Sequence, residues 1–257
     1  MNKKAIDRKI AFKFGLLVLT TILNGCATTG VDPAGPWEDW NRDVSSFNDD
    51  FDETIMKPMA EGYTWAAPDV VSGGVTNFFS NIQDVGVTIN DLLQFKLGQA
   101  AEDGSRLVIN STVGIAGVID VATMVGLEKH REDFGQTLGV WGVPSGPYMI
   151  LPFWGASSPR DFVGLIGDIL LDPVSYTVFI SGGLVSAATM GAAILDAADW
   201  RAGLLVTERI VDETALDQYD FLKAAYMQRR EYLILDGNVP DPDAELELDE
   251  DFDADLE

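Results

Sequence analysis

A charge-free stretch of seventeen residues, GVWGVPSGPYMILPFWG (139–155), constrains the fold of this chain more than any other segment. Its four glycines and three prolines exclude a continuous helix. Its four aromatic residues are unusual in a loop that faces only water. We predict a fixed loop or hairpin within a long irregular insert (127–158), with aromatic side chains that contact a membrane or line a channel. The alternative is that these side chains fold back and pack in the core.

The negative charge of the chain is concentrated at its carboxyl end. Acidic residues outnumber basic ones by 41 to 17, which gives a formal charge of −24, yet 47% of all residues are hydrophobic. Residues 241–257 carry ten carboxylates and no basic residue, so we predict that 238–257 is a disordered acidic tail. A negative chain without a basic stripe is a poor ligand for phosphate backbones, and we expect no nucleic-acid partner.

The amino-terminal residues are typical of a secretory signal peptide rather than of a folded element. Five cations and one aspartate in residues 1–13 precede the apolar run FGLLVLTTIL (14–23). The run is too short for a transmembrane helix, which needs about 20 residues. We therefore assign residues 1–25 to a signal peptide.

The sequence LNGC (23–26) resembles the bacterial lipobox, in which the cysteine is acylated and becomes the first residue of the mature protein. Cys26 is the only cysteine of the chain, so it has no disulfide partner. We expect a diacylglycerol and an N-acyl chain on Cys26 and no other cofactor; several acyl chains together anchor a protein stably. Residues 26–36 then form a lipidated linker, and Ala27 favours sorting to the outer membrane. The alternative is an idle cysteine after an ordinary signal peptide.

The body of the chain, 37–237, has few strand signals and reads as an all-α domain of short helices. Apolar residues at helical spacing predict helices in 36–55, which Pro58 ends, and in 82–93, up to a stop at Gly98. Further segments are predicted as helical, in part or in full: 100–113, 114–126 (in part), a helix that starts at SSPRD (157–161), 199–216 and 217–237, the last capped by Gly237.

An uncharged run from Pro173 to Leu195 is long enough to span a bilayer. However, Pro173 and the pair Gly182–Gly183 interrupt it. Two interpretations stay open: a membrane span, or a pair of helices that is buried or embedded at a membrane interface.

Residue patterns typical of enzymes are largely missing from the sequence. His130 is the only histidine, so a multi-histidine metal site is excluded, and we find no nucleophile elbow, P-loop or dinucleotide motif. Asp120, Asp133, Asp161 and Asp168 lie in or beside apolar segments. A carboxylate pair could serve a hydrolase, but we favour helix caps or ion pairs for them, with Arg106, Arg131 and Arg160 as partners, and a structural hydrogen bond for His130.

Several segments together resemble the MlaA/VacJ family of outer-membrane lipoproteins. The most specific is the block with the pattern FGxTLGxxGVxxGPYxxLPFxG, and the resemblance extends from Pro36 to Gly237. The segments are NRDVSSFN (41–48), KP (57–58), GVIDVA (117–122), HREDFGQTLGVWGVPSGPYMILPFWGASSPRD (130–161) and AAYMQRREYL (224–233). Residues 49–53 are more acidic than the family pattern, and the acidic tail is specific to this chain.

The resemblance implies a ring-like bundle of helices, anchored at the periplasmic face of the outer membrane of a Gram-negative bacterium. It implies no enzymatic activity. Proteins of this family associate with trimeric porins and remove mislocalised phospholipids from the outer leaflet. The lipids pass through an amphipathic channel to a soluble periplasmic carrier, and the lipid asymmetry of the outer membrane is maintained. The alternative function is a structural, porin-binding envelope lipoprotein without transport activity.

Candidate residues for the lipid path or for membrane contact come from the two most distinctive segments. Tryptophan and tyrosine suit a membrane–water boundary, where one end of the ring is apolar and the other polar. The candidates are Phe47, Asn48, Trp141, Tyr148, Phe153 and Trp154.

Overall fold

Helices make up nearly all the regular structure of the part of the chain that is described, residues 37–173, 187–214 and 217–239 of a computed structural model. The helices are α1 (Glu38–Phe51), α2 (Lys57–Ala66), α3 (Asp69–Leu93), α4 (Leu97–Thr112), α5 (Val121–Met124), α6 (Phe134–Val140), α7 (Pro159–Leu171), α8 (Ala187–Thr214) and α9 (Gln218–Ile234). The predicted all-α class is confirmed. The signal peptide, the linker with Cys26 and nearly all of the acidic tail lie outside the described residues.

One small antiparallel hairpin lies inside the charge-free stretch, as the density of glycine and proline there predicts. Strand β1 (Met149–Leu151) pairs with β2 (Gly155–Ser157), with Met149 opposite Ser157 and Leu151 opposite Gly155. The insert is less irregular than expected, because it also contains α6.

Pro58 does not end the first helical segment, contrary to the prediction. A π-helical turn (Asp52–Met56) continues α1 directly into α2, and Pro58 lies in the first turn of α2. Proline lacks the N–H that would continue the helical hydrogen bonds, and the irregular π-helical turn lies directly before it, where those bonds change register. The π-turn thus joins the two helices without a loop.

The second predicted helix is longer than its apolar pattern indicates, and Gly98 is not its stop. Helix α3 begins directly after Pro68, whose extended conformation precedes it, and ends at Leu93. Phe95 then adopts a positive φ of 62°, which no helix continues through. Gly98 lies within the first turn of α4, the helix predicted for 100–113.

Local capping signals predict the start of α7 and the turn after α9, but not the start of α8. Ser158 caps α7 by accepting a hydrogen bond from the Asp161 N–H at 3.1 Å. In 114–126 only α5 is helical, as expected. Helix α8 begins at Ala187, well before the predicted 199. Helix α9 ends at Ile234. In the turn that follows, Gly237 has φ 80°, and its N–H donates to the Tyr232 carbonyl at 2.9 Å.

Helices α6 and α7 pack with their backbones in contact. A Cβ built on Gly164 of α7 would lie 2.4 Å from the backbone nitrogen of Gly135 in α6. Only glycine permits this approach, which places the carboxylates at the start of α7 beside the start of α6.

The inward face of α3 is polar and connects four other parts of the chain. The side-chain amide of Asn81 donates to Ser111 of α4 at 2.9 Å, and Asp84 pairs with Lys129. Asn90 accepts a hydrogen bond from Thr137 of α6 at 2.8 Å and lies 3.4 Å from Asp168 of α7. Hydrogen bonds and ion pairs therefore hold these helices together.

Polar residues also dominate the rest of the described interior. The largest side chains with almost no exposure are Arg106, Gln136, Asn41, Asn90, Thr137, Asp84, Asp91, Asp103 and Ser158. Arg106 donates to both carboxylate oxygens of Asp120, to Thr123 and to the Leu127 carbonyl. A small apolar cluster, Val44, Tyr148, Ile150 and Tyr219, lies between α1, β1 and α9.

The outward faces of several helices are apolar, which reverses the arrangement usual in a water-soluble protein. Helix α7 exposes a continuous group: Phe162, Val163, Ile166, Ile169 and Leu170. Further exposed apolar side chains follow α4 and lie on α8, among them Val113, Ile115, Met124, Ile194, Val206 and Ile210. No described helix combines the length and apolar character that crossing a bilayer requires. Residues 174–186 of the uncharged run lie outside the described residues.

Asp91 of α3 is fully buried, and neither of its carboxylate oxygens has a hydrogen-bond partner among the described residues. Burial raises its pKa to about 7, and the negative charges of Asp103 and Glu132 add to the shift. The folded protein therefore binds a proton at Asp91 that the unfolded chain releases near the ordinary value of 3.8.

We expect Asp91→Asn to flatten the pH dependence of stability. Between about pH 4 and pH 7 the folded state of the wild type binds more protons, so its stability falls as the pH rises. The asparagine side chain of the variant carries no charge at any of these pH values. The melting temperature of the variant at pH 7.5 should therefore exceed that of the wild type by at least about 2–4 °C, the shift expected for 1 kcal/mol in a protein of this length. Thermal unfolding in mild detergent measures it. Asp43→Asn, an exposed carboxylate of α1, is the control; equal slopes for both variants would contradict the prediction.

Candidate functional site

Two asparagines of α1 hold the hairpin in place. Asn41 donates to the Tyr148 carbonyl at 3.1 Å and accepts from the Ile150 N–H at 2.7 Å. Asn48, two helical turns later, donates to the Leu151 carbonyl at 3.0 Å and accepts from the Phe153 N–H at 2.8 Å. The amide side chains thus occupy the edge of β1 that a third strand would otherwise pair with.

Phe153 adopts a left-handed conformation at the end of the hairpin, with φ 69°. This conformation is unfavourable for a residue with a bulky side chain. The hydrogen bond from its N–H to Asn48 holds it there. The conformation directs the ring towards α1, where it contacts Phe47 at 5.3 Å and Phe51 at 5.0 Å between ring centroids.

We call the exposed residues Phe47, Phe153 and Trp154 the aromatic tip. Trp154 lies 6.5 Å from Phe153, and the three side chains are 47–63% exposed. Aromatic–aromatic contacts fix the rings relative to one another. The structure therefore presents a fixed apolar projection at the end of the hairpin, next to α1.

The structure brings four of the six sequence-predicted candidates together and separates the other two. Phe47, Asn48, Phe153 and Trp154 form or support the aromatic tip. Trp141 is half exposed and donates to the Leu93 carbonyl at 3.0 Å, so it lies at the end of α3. Tyr148 is only 7% exposed and packs against Tyr219 and Tyr226. For this residue the alternative prediction holds, in which the side chain folds back and packs in the core.

Asn41 is a residue that the sequence reasoning missed. Its signal was present, because it lies seven residues before Asn48 and hence on the same face of α1. A side-chain amide on a helix face rich in aromatic residues can both donate and accept a hydrogen bond. It therefore indicates a neighbouring segment whose backbone N–H and C=O groups are not paired in a sheet.

A cavity of about 670 Å³ lies among α3, residues 129–133, the end of α7 and α8. Its size falls within the range of small-molecule sites, roughly 300–1,000 Å³. The apolar part of its lining comes mainly from α3 and α8, with Phe79, Ile82, Val87, Trp200 and Leu204. The ionic part comprises Lys129, Arg131, Glu132, Asp133, Asp168, Asp172, Asp196 and Asp199. The cavity is therefore amphipathic.

Asp168 carries the most strongly shifted carboxyl group of the cavity lining. Burial raises its pKa to about 6, against the opposing effect of hydrogen bonds from the Phe134 N–H at 2.8 Å and from Asn90. Asp133 behaves differently, because the ion pair with Arg230 outweighs burial and lowers its pKa. Asp168 therefore keeps its proton to a higher pH than Asp133 does.

The four aspartates singled out from the sequence take structural positions. Asp120 and Asp133 cap α5 and α6, and Asp161 lies in the first turn of α7. Asp120 pairs with Arg106, as interpreted from the sequence; burial opposes its ionisation, but hydrogen bonds led by Thr123 lower its pKa to about 2. Asp161 pairs with Arg160 and with Arg230, a partner that the sequence did not single out.

His130 and Arg131 differ in their contacts. Nδ1 of His130 lies 2.8 Å from a carboxylate oxygen of Asp103, which fits the structural role predicted for it. Arg131, in contrast, has no carboxylate partner among the described residues. No group of described residues has the arrangement of a metal site.

The model of the family described as MlaA lipoprotein matches residues 33–233, most of the chain. The chain belongs to the MlaA lipoprotein family. It is 32% identical over 227 residues to the intermembrane phospholipid transport system lipoprotein MlaA of Escherichia coli K12, with 86% of this chain and 87% of that protein covered. An uncharacterised protein of Rickettsia conorii is 38% identical over 154 residues, 60% of each chain.

The fold agrees with a solved structure that concerns the maintenance of bacterial outer membrane lipid asymmetry. The superposition has a TM-score of 0.66 at 29% sequence identity and covers 77% of this chain and 98% of the other. The helical body described above therefore has the same fold as that structure over most of its length.

We expect Asn48→Ala to loosen the hairpin, because the Leu151 carbonyl and the Phe153 N–H both lose their partner. Net loss of two hydrogen bonds costs about 1–3 kcal/mol. Amide hydrogen exchange should accelerate at Phe153, and denaturant unfolding should show the loss of stability. Ser46→Ala, at an exposed neighbouring position on α1, is the matched control. Unchanged exchange at Phe153 in Asn48→Ala would show that the Asn48 side chain does not hold the hairpin.

Proposed function

We propose that this protein removes mislocalised phospholipids from the outer leaflet of the outer membrane and passes them to a soluble periplasmic carrier. In this way it maintains the lipid asymmetry of the membrane. The observation that carries the proposal is the reversed distribution of polarity, with polar side chains inside and apolar side chains on α7 and α8 outside. Membership of the MlaA family and the names of its relatives in intermembrane phospholipid transport support it.

The apolar outer surface is what a protein needs when lipid is its solvent. Large exposed apolar patches are rare on water-soluble monomers and mark contact with a membrane or a partner. Lipid cannot hydrogen-bond to polar groups, so these groups must satisfy one another inside the protein. Asn81, Asp84 and Asn90 on the inward face of helix α3 make contacts of this kind.

The cavity supplies a route with two kinds of wall. Each CH₂ group is worth roughly 0.8 kcal/mol when removed from water, so exposing both acyl chains of a phospholipid costs tens of kcal/mol. A path with an apolar side, such as Phe79 and Leu204, and an ionic side lowers that barrier. Transport here requires no bond chemistry, and the downstream carrier sets its direction.

The remaining parts of the proposal concern attachment and partners. Acyl chains on Cys26 anchor the body at the periplasmic face of the outer membrane. The exposed apolar surface also offers contacts for a trimeric porin. The aromatic tip lies in the membrane, with Trp154 at the interface that tryptophan rings favour and the apolar rings of Phe47 and Phe153 beside it.

Transport is tested by deleting the gene and complementing it with variants. Deletion should raise the amount of outer-leaflet phospholipid, measured by its labelling with a membrane-impermeant amine reagent. Wild type should restore asymmetry, and Phe153→Arg should not, since a charge opposes insertion of the aromatic tip, by about 0–1 kcal/mol near the interface and up to about 2–4 kcal/mol at the midplane. Gln228→Arg places the same charge at an exposed polar position of α9 and should complement fully.

Two outcomes would contradict this proposal. Unchanged asymmetry in the deletion strain removes transport as the function. Full complementation by a correctly folded Phe153→Arg favours a structural, porin-binding lipoprotein. Thermal unfolding of the purified variant separates misfolding from loss of function.

We expect Cys26→Ser to release the protein from the outer membrane, because it removes the acylation site. Cell fractionation should find the variant as a soluble or mis-sorted precursor, with Ser46→Ala as the control that fractionates normally. Normal outer-membrane fractionation of Cys26→Ser would mean that the apolar body suffices for attachment.

A further inference from the structure

Three ionic side chains of the cavity lining form ion pairs within the protein itself. Lys129 pairs with Asp84, and Glu132 lies 3.0 Å from Lys96. Asp133 pairs with Arg230. These groups have little charge left to offer a ligand.

Arg131 is the cation of the lining that is not neutralised in this way. Its side chain is exposed, lines the cavity and has no hydrogen bond or ion pair to any described residue. A planar guanidinium with free N–H groups matches the geometry of a phosphate, to which it can donate two parallel hydrogen bonds.

Negative charge remains on the wall that α8 contributes. Asp199 accepts hydrogen bonds only from neutral hydroxyls among the described residues, Tyr63 and Thr76, each at 2.8 Å. Asp196, one turn earlier, has no ion pair with a described residue. Burial raises the pKa of Asp196, and the carboxylates of Asp199 and Asp172 add to the shift. This wall therefore lacks a cation.

We propose that the cavity binds the head group of a zwitterionic phospholipid, with Arg131 at the phosphodiester and Asp196 and Asp199 at the ammonium group. The apolar side chains Phe79, Ile82 and Leu204 then contact the glycerol and the first part of the acyl chains. The inference rests on the proposed function and adds to it the class of lipid that is preferred.

The charge balance gives the site its selectivity. An anionic phospholipid without an amine places its phosphate on Arg131 equally well, but it leaves Asp196 and Asp199 without a counter-ion. A zwitterionic lipid satisfies both walls. Discrimination then arises at the α8 wall, whereas overall retention depends on Arg131.

The test uses purified full-length protein in mild detergent, incubated with vesicles of equimolar phosphatidylethanolamine and phosphatidylglycerol and then re-isolated. Mass spectrometry of the bound lipid gives the ratio of the two lipids and the total per protein. We expect the wild type to enrich phosphatidylethanolamine about fivefold, the upper effect of one exposed ion pair. Asp196→Asn should bring the ratio towards one, and Asp196→Lys should invert it. Arg131→Gln should lower the total about fivefold.

Asp43→Asn and Arg229→Gln are the matched controls, because both are exposed and lie outside the cavity lining. Each should retain the wild-type ratio and total. Lipid bound by the wild type in the vesicle ratio, or an unchanged ratio in Asp196→Lys, overturns the head-group site while transport stands. A wild type that retains no phospholipid from either vesicle component contradicts the proposed function itself.

Discussion

The polar inward face of α3 is the constraint on which the rest of the described structure depends. Asn81, Asp84 and Asn90 are all buried residues of α3, and each contacts a different element: α4, the segment before α6, and α6 itself. The hydrophobic effect does not hold helices together when the surrounding medium is itself apolar, because no apolar surface is removed from water. Hydrogen bonds and ion pairs inside the helix bundle take over that role.

This constraint also explains what the sequence could and could not predict. Helical spacing identified the face of α1 that carries Trp37, Trp40 and Phe47, but all three are substantially exposed. Periodicity reveals that a face exists and not which way it points. The buried positions of α1 are Asn41 and Val44, so one amide and one apolar side chain are buried while Trp40 and Phe47 of the same helix stay exposed.

Local chemistry was the more dependable guide. Three features depend on only a few adjacent residues: the cap at Ser158, the positive φ of Gly237 and the β-hairpin within the charge-free stretch. The π-turn at 52–56, the early start of α3 and the burial of Tyr148 depend on tertiary contacts, which no short window contains. The family pattern singled out Phe47, Asn48 and Phe153 as candidates, whereas their contacts with one another are known only from the structure.

The hydrogen bonds between α1 and the hairpin affect the order in which the chain folds. Asn41 contacts Tyr148, 107 residues later, and Tyr219, 178 residues later. Contacts of such long sequence separation form slowly, because a large loop must close before they contribute any free energy. The first helix of the body therefore lacks its native neighbours until almost the whole chain has been made. A chain whose first helix gains its last native contacts so late can be threaded across a membrane before those contacts form.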